Sequence, residues 1–361
     1  MKICYLADAS SIHTQRWVKY FAEKGHEVHL ISYNPAHIEN VKIYVLPKKK
    51  NRFLTFILRF FAIRKLIKNI KPDLLHAHYI GGYGWYGAIT GFHPFVVSVW
   101  GSDIAVDPER SKLHKFLVKY VLRKAELVHV QDPLSKKRVK ELGAKENKIK
   151  VIPWGVDITK FSPDKKSEKW RKKLQIMPGP VIIIIICDVE KRFADILANA
   201  IDTVTKSITD VNFVIVKSDK LKNKIKPNKN VQFIDWIPYP EVPFYLANSD
   251  IFIDPYYPER PDEIGHTYGM ALLEAMACGV PTLVAERPTV LMLKDADTWY
   301  FGYTFRGDNV DDLIEKITKL LRDKNEQNRI IKQNRAIIEK KFSWHENMGR
   351  IEALYRISLN R

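Results

Sequence analysis

At 361 residues the chain exceeds the size at which single hydrophobic cores usually stop growing, so two domains are expected. Lys and Arg number 59 against 41 Asp and Glu, a formal net charge of +18 that favours anionic partners: nucleic acid, acidic membrane surfaces or phosphorylated ligands. No nucleic-acid-binding module is recognisable and aromatic residues do not alternate with Lys and Arg, which leaves membranes and phosphorylated ligands. No run approaches the ~18 apolar residues of a membrane-spanning helix. The start, Met1-Lys2-Ile3-Cys4-Tyr5, reads as a strand rather than a secretory leader, and a cytoplasmic protein is expected. Cys4, Cys187 and Cys278 lie far apart in apolar runs, which argues against a disulfide framework or a zinc site.

In chain order, Lys2–Ala7 predicts a strand, and the helix over Thr14–Lys24 places Trp17, Val18, Phe21 and Ala22 on one face. Gly25 stops that helix and Glu27–Ser32 is the next strand. Further apolar, β-rich runs are Val41–Leu46, Leu74–His76, Phe95–Trp100, Leu127–Val130 and Ile149–Ile152. A polar stretch over 163–178 reads as a linker ending in Pro178-Gly179-Pro180. The alternation restarts with strands at Val181–Ile186, Phe213–Val216, Val231–Phe233, Ile251–Ile253 and Thr282–Val284. A last helix, Trp344–Leu359, aligns Met348, Ile351, Tyr355 and Leu359. Apolar strands alternating with helices mean parallel sheets covered on both faces. The expected fold is therefore α/β: two Rossmann-like, doubly wound domains, 1–163 and 164–343, facing a central cleft, with 344–361 packing back on the first.

The most informative segment runs from His266 to Pro281, with a glycine (Gly269) at a helix start, a two-turn helix, Gly279 as its cap and Pro281 leading into a strand. Backbone N–H groups around Gly269, Met270 and Ala271 suit a diphosphate, and the carboxylate of Glu274 can accept hydrogen bonds from a ribose diol. An ordinary amphipathic helix with an exposed Glu is the alternative at this point.

This segment resembles the retaining glycosyltransferases of family 4, whose two-Rossmann-domain architecture is called GT-B. The likeness runs over nearly the whole chain. Gly25-His26-Glu27-Val28, Pro72-Asp73-Leu74-Leu75-His76-Ala77-His78, Val99-Trp100-Gly101-Ser102-Asp103 and Val151-Ile152-Pro153-Trp154-Gly155-Val156-Asp157 with Phe161 resemble successive family motifs, in order. Leu273-Glu274-Ala275-Met276-Ala277-Cys278-Gly279-Val280-Pro281 follows the family pattern throughout. The resemblance implies an N-terminal acceptor-binding domain, a C-terminal domain binding a UDP- or GDP-linked sugar, retention of anomeric configuration, and no requirement for a metal or other cofactor.

Three positions depart from the pattern, all at the implied donor site. The first of the family's two signature glutamates falls on His266; Glu263 is a substitute if its loop folds inward, and His266 either donates to the sugar or phosphates or caps the helix. The family's phosphate-gripping Arg is absent at Ile186-Cys187-Asp188, whereas Lys191 and Arg192 stand where its Lys-Gly belongs, as phosphate ligands or as a solvated pair. Trp100 replaces the loop histidine; an indole stacks and donates one N–H but exchanges no proton. Asp103 remains, either as a sugar-binding or basic carboxylate or as a helix cap.

Ser11 and His13 occupy the first strand–helix loop, where the family meets its acceptor. The glycine- and aromatic-rich run Gly81–Gly87, with Gly82 central, is either a sugar-stacking loop or tight packing of helix on sheet. Asp295-Ala296-Asp297 follows a Leu-rich helix rather than a strand, which argues against a metal-binding Asp-x-Asp. The basic, Phe-rich stretch from Lys48 to Lys68 is either core packing or, through Phe53, Phe56 and Phe60 with Lys48, Lys49, Lys50 and Arg52, a peripheral contact with the inner face of the membrane. A glycan or lipid-linked acceptor fits that contact. Rival readings are a degenerate GT-B protein that binds or scaffolds without transfer, and a nucleotide-sugar epimerase.

Overall fold

A computed structural model describes all residues except 174, 176–177, 186–190, 217, 256–268, 287–289, 291–302 and 360–361; of residues 52, 191 and 192 it describes the backbone alone. The chain divides into two compact units, the first comprising Met1–Trp154 and the chain from Glu346 onward, the second built between Gly155 and His345.

The first unit is a seven-stranded, wholly parallel sheet of β1 (Lys2–Leu6), β2 (Glu27–Ser32), β3 (Val41–Val45), β4 (Leu74–His78), β5 (Phe95–Ser98), β6 (Leu127–Val130) and β7 (Ile149–Val151). Its order is β3-β2-β1-β4-β5-β6-β7, the doubly wound plan that reverses direction beside β1. β1, β4, β5 and β6 are almost continuously buried, as strands covered on both faces must be. β4 runs two residues beyond the apolar run that marks it in the sequence, because Ala77 and His78 stay in register with Val97 and Ser98 of β5. Helices bury one stripe each: Trp17, Val18 and Phe21 from helix Ile12–Glu23, Val118, Val121 and Leu122 from helix Lys112–Lys124. Each such side chain contributes ~1.5–3 kcal/mol when fully removed from water.

Beneath these helices runs a chain of buried polar groups whose proton positions are set by its end. The Ile152 carbonyl can only accept, so His129 Nε2–H donates to it at 2.7 Å and His129 Nδ1 accepts from the Ser98 hydroxyl at 2.8 Å. Ser98 Oγ then accepts from His76 Nε2–H at 2.8 Å, and His76 Nδ1 accepts from the Tyr355 hydroxyl at 2.5 Å. Trp17 Nε1–H donates to Tyr355 at 3.3 Å. Helix Trp344–Leu359 thus delivers Tyr355 into the core of the first unit, stacked on Phe21 at 5.1 Å between ring centres. A second tie is His26 with Glu352 at 3.2 Å.

The second unit repeats the plan with β8 (Val181–Ile185), β9 (Asn212–Val216), β10 (Val231–Ile234), β11 (Ile251–Asp254), β12 (Thr282–Glu286) and β13 (Tyr303–Arg306), ordered β10-β9-β8-β11-β12-β13 and all parallel. β13 is not anticipated by the sequence pattern; it is an edge strand in which only Phe305 is fully buried.

The polar stretch over 163–178 is not a free linker. The first boundary falls at Trp154/Gly155, and the segment after Gly155 packs within the second unit. Phe161 is buried against Tyr239, Ser167 N–H donates to Asn248 Oδ1 at 2.9 Å, and Trp170, in the short helix Glu168–Lys173, stacks on Phe244 at 3.9 Å. Aromatic anchors spaced through a charged segment hold it down although its composition reads as solvated. Gly155 lies so close to Trp344 that a Cβ would come within 2.4 Å of the Trp344 Cα, while Val156 N–H donates to Phe342 O at 2.7 Å.

Candidate functional site

In the first unit a cavity of about 530 Å³ opens where the loops after β1, β2, β4 and β5 meet. That is the switch point of the sheet, where open α/β sheets place their ligands. Ser11, Gly82 and Trp100 line it, three of the four residues expected, with His13, to meet the acceptor. His13 instead packs edge-on to Trp100, 5.9 Å between ring centres, and against Trp154 at 5.0 Å. Burial and the neighbouring Arg16 push its imidazole down to about 4, so it is neutral at pH 7.

Asp103 has a different place from the one expected. It is fully buried and is not among the lining residues of the cavity; its carboxylate accepts from the backbone N–H groups of Ile80 (2.9 Å), Trp100 (3.0 Å) and Gly101 (2.9 Å). Burial pushes its carboxyl up to about 6 against the opposing pull of those amides. Rather than a carboxylate free to meet a sugar, Asp103 is the clasp that fixes Trp100 and the turn after β4.

The glycine-rich run splits between its two readings. Gly82, at φ +59°, lines the cavity beside Tyr33, whose hydroxyl would lie 3.1 Å from an added Cβ. Gly87 serves packing, since its Cβ would fall 2.4 Å from the Phe95 ring. Sequence reasoning missed Thr14, Asp107 and Arg110, and met His78 only as the end of a strand motif; all four line the cavity. The available signal was position for two of them: His78 ends β4 and Thr14 follows β1, the strands that flank the switch point.

In the second unit the helix Met270–Ala277 begins at Gly269, whose position supplies no capping side chain. A helix start leaves its first N–H groups without intrahelical acceptors, a geometry that suits those of Met270 and Ala271 to an anion. Gly269 has φ −90° with open space where a Cβ would stand, so neither strain nor crowding demands glycine there. Glu274 is buried, not exposed, and Tyr239 Oη donates to its Oε1 at 3.1 Å. Cys278 follows in the same buried stretch, and Gly279, at φ +71°, meets Pro163 where a Cβ would project.

Lys191 opens helix Lys191–Ser207, with Arg192 next, which puts both at a helix N-terminus after β8. Glu263 and His266 lie outside the described residues, as do Cys187, Asp188 and Asp295-Ala296-Asp297. Among the described residues no three His, Cys, Asp or Glu side chains are grouped to hold a metal ion, and no helix is long and apolar enough to cross a membrane.

The Phe-rich stretch forms helix Arg52–Ile70, started by Asn51, whose side chain accepts from Leu54 N–H. Ile63, Ile67 and Ile70 are buried, and Phe60 packs against the core rather than leaving it. Phe53, Leu54, Phe56 and Phe61 remain exposed, beside exposed Lys48, Lys49 and Lys50. Leu113 and Phe116, on helix Lys112–Lys124, are exposed as well.

Comparison with known proteins places these features in a family. Residues 2–132 match the family described as glycosyl transferase 4-like, and residues 166–337 that described as glycosyl transferases group 1. A GDP-mannose-dependent monoacylated alpha-(1-6)-phosphatidylinositol monomannoside mannosyltransferase of Corynebacterium glutamicum is 29% identical over 55% of this chain. The match spans 53%, about half, of that relative's length. A UDP-Gal:alpha-D-GlcNAc-diphosphoundecaprenol alpha-1,3-galactosyltransferase of Escherichia coli is 26% identical over 81% of this chain and 78% of its own. The crystal structure of Anabaena HepE in complex with UDP-glucose superposes with a TM-score of 0.77 at 17% identity, covering 98% of this chain and 99% of that one. Two parallel α/β domains of matching order, both family matches and these relatives agree: the chain belongs to the group 1 glycosyltransferases and has the GT-B fold.

Proposed function

We propose that this chain is a retaining glycosyltransferase that moves a sugar from a UDP- or GDP-linked donor to a glycan or lipid-linked acceptor in cell-surface polysaccharide, glycolipid or protein-glycan biosynthesis. The observation that carries the donor side is Glu274, a carboxylate buried and oriented by Tyr239 within two turns of the helix start at Gly269. A buried carboxylate with fixed geometry is suited to a ribose diol, and the helix-start amides of Met270 and Ala271 to the diphosphate. Lys191 and Arg192 stand at the second helix start to neutralise the phosphates, and Glu263 and His266 are assigned to the donor sugar.

In this reading the C1–O bond to the diphosphate breaks as a bond from C1 to the acceptor oxygen forms on the same face. The acceptor's proton passes to the departing phosphate oxygen, and a nucleoside diphosphate leaves. The protein's share is electrostatic, in donors already aimed at the charge that develops on the leaving group, and no metal enters. The acceptor occupies the first-unit cavity beside Ser11, Gly82 and Trp100, with Asp103 as a positioning residue. Exposed lysines and phenylalanines at the start of helix Arg52–Ile70 support peripheral attachment to the anionic inner face of the membrane.

Glu274→Ala and Tyr239→Phe test the donor assignment. Calorimetry should show UDP or GDP binding weakened by ~1.5–3 kcal/mol in the first and by about 1 kcal/mol in the second, with folding retained. Unchanged affinity in Glu274→Ala would remove the assignment. Nucleotide binding with neither hydrolysis nor transfer across a donor panel would mark a binding protein instead.

A further inference from the structure

Helices Arg52–Ile70 and Lys112–Lys124 both pack on the short helix Trp85–Thr90, and the three cover one side of the first unit. Their inner stripes, Ile63, Ile67 and Ile70 on the first and Val118, Val121 and Leu122 on the second, join the same core. What they turn outward is not an ordinary solvated surface. Six of the eleven large apolar side chains exposed among the described residues stand on the two longer helices: Phe53, Leu54, Phe56, Phe61, Leu113 and Phe116. Single exposed apolar residues are normal, whereas a concentration of them rimmed by polar groups marks a contact surface.

The charge on the same helices is one-sided. Each of the two longer ones carries five Lys or Arg and no Asp or Glu, and Trp85–Thr90 carries no charge at all. Ten positive charges and no negative one therefore sit on three adjacent helices of a chain whose net charge is +18. The carboxylates nearest in sequence to the second helix are taken: Glu109 pairs with Arg138 at 2.7 Å and Glu126 with His93 at 2.8 Å. Among the described residues the exposed Arg64, Lys65, Lys68, Lys112 and Lys115 form no ion pair.

Helix geometry puts both kinds of side chain on one face. At ~100° per residue, Phe53, Phe61, Arg64 and Lys68 fall within about 80° of one another, and Lys112, Leu113, Phe116 and Arg123 within about 100°. Apolar side chains standing among unpaired cations complement a surface that is negative at its boundary and apolar just below, which describes a bilayer with anionic headgroups. The face also borders the first-unit cavity, since Trp85 and His114 line it, with Arg110 just ahead of the second helix.

We propose that this side of the first unit docks on an anionic lipid bilayer through two helices rather than one, with Leu113 and Phe116 as a second anchor beside Phe53, Leu54 and Phe61. The proposal rests on, and extends, the peripheral attachment already assigned to the start of helix Arg52–Ile70.

The test is sedimentation of the full chain with vesicles of phosphatidylcholine alone and of phosphatidylcholine mixed with phosphatidylglycerol, in low and high salt. The wild type should partition onto the anionic vesicles roughly tenfold better or more, and lose most of that preference in high salt. Leu113→Ser with Phe116→Ser should weaken the partitioning roughly tenfold, and Lys112→Gln with Lys115→Gln roughly fivefold for each charge removed. All four side chains are exposed, so the melting temperature should not move. Wild-type binding in these variants, with release by Gln at Lys48, Lys49 and Lys50, overturns the second anchor and leaves attachment at the first helix standing. A wild type that ignores anionic vesicles sinks both. A dimer seen by sedimentation velocity and dissolved by Leu113→Ser with Phe116→Ser, without vesicle binding, also overturns the proposal, because a second copy then covers the face. Calorimetric binding of UDP or GDP decides the transferase reading separately from all of these outcomes.

Discussion

The buried histidines make the first unit acid-sensitive in a window that can be worked out from the structure. His129 and His13 are held down to about 4 and His78 to about 3, each chiefly by burial. In the unfolded chain each titrates near ~6.5, so between that value and the native one the unfolded state binds more protons. The stability these neutral rings allow is fully present above pH ~6.5 and is lost as pH falls toward their native values. At pH 5 each has lost about 1.5 units × ~1.36 kcal/mol, or ~2 kcal/mol, for a sum of ~6 kcal/mol. Asp103 works in the opposite sense: its carboxyl is raised to about 6, so it takes up a proton in the native state first and returns ~1.4 kcal/mol by pH 5. The net loss is about 5 kcal/mol, comparable with the ~5–15 kcal/mol stability of a whole domain. Carboxylates held low, such as Asp8 and Asp157, act only below ~3.8 and stay outside the window. Urea unfolding read by tryptophan fluorescence at pH 7.5 and 5.0 should show the loss. The variant His129→Gln should flatten the pH slope by ~1.4 kcal/mol per pH unit, one proton's worth. A wild-type stability independent of pH over that range, or an unaltered slope in His129→Gln, would refute the reasoning.

Two further outcomes are expected. Neutralising Lys191 and Arg192 together should weaken nucleoside diphosphate binding far more than nucleoside binding, in parallel calorimetric titrations; equal losses would make the pair a surface feature. Sedimentation with vesicles should rise with anionic lipid and fall with salt, and Gln at Lys48, Lys49, Lys50 and Arg52 should release the protein without lowering its melting temperature, since each cation adds ~1 kcal/mol near such a surface. Indifference of the wild type to anionic vesicles at low salt would favour an acceptor that is not membrane-borne.

Much of the fold is legible because strands buried on both faces are written as unbroken apolar runs: Val181 to Ile185 reads as a buried strand without help. Tyr303-Thr304-Phe305-Arg306 does not, because an edge strand with one covered face needs no such run. Long-range pairs are invisible for a different reason. Tyr239 reaches Glu274 across 35 positions and Tyr355 reaches His76 across 279, and nothing in either local sequence announces its partner. Asp103 differs from both, since its signal is present in the sequence. An Asp following a Trp-Gly turn by two residues is placed to accept from that turn's own amides, a competition that short acidic side chains usually win locally.

The net charge is the most easily misread feature. An excess of +18 invites a cationic ligand site, yet the arginine on the wall of the first-unit cavity, Arg110, is engaged with Asp107. The exposed cations gather instead beside exposed apolar side chains: Lys48, Lys49 and Lys50 before Phe53, Leu54 and Phe56 on one helix, Lys112 and Lys115 beside Leu113 and Phe116 on another. Both helices pack against Trp85–Thr90, whose first residue lines the cavity. That arrangement supports the proposed membrane attachment, because a surface that is anionic above and oily beneath meets both kinds of side chain. In that proposed reading the excess charge belongs to the surface the protein contacts rather than to the cavity of its first unit.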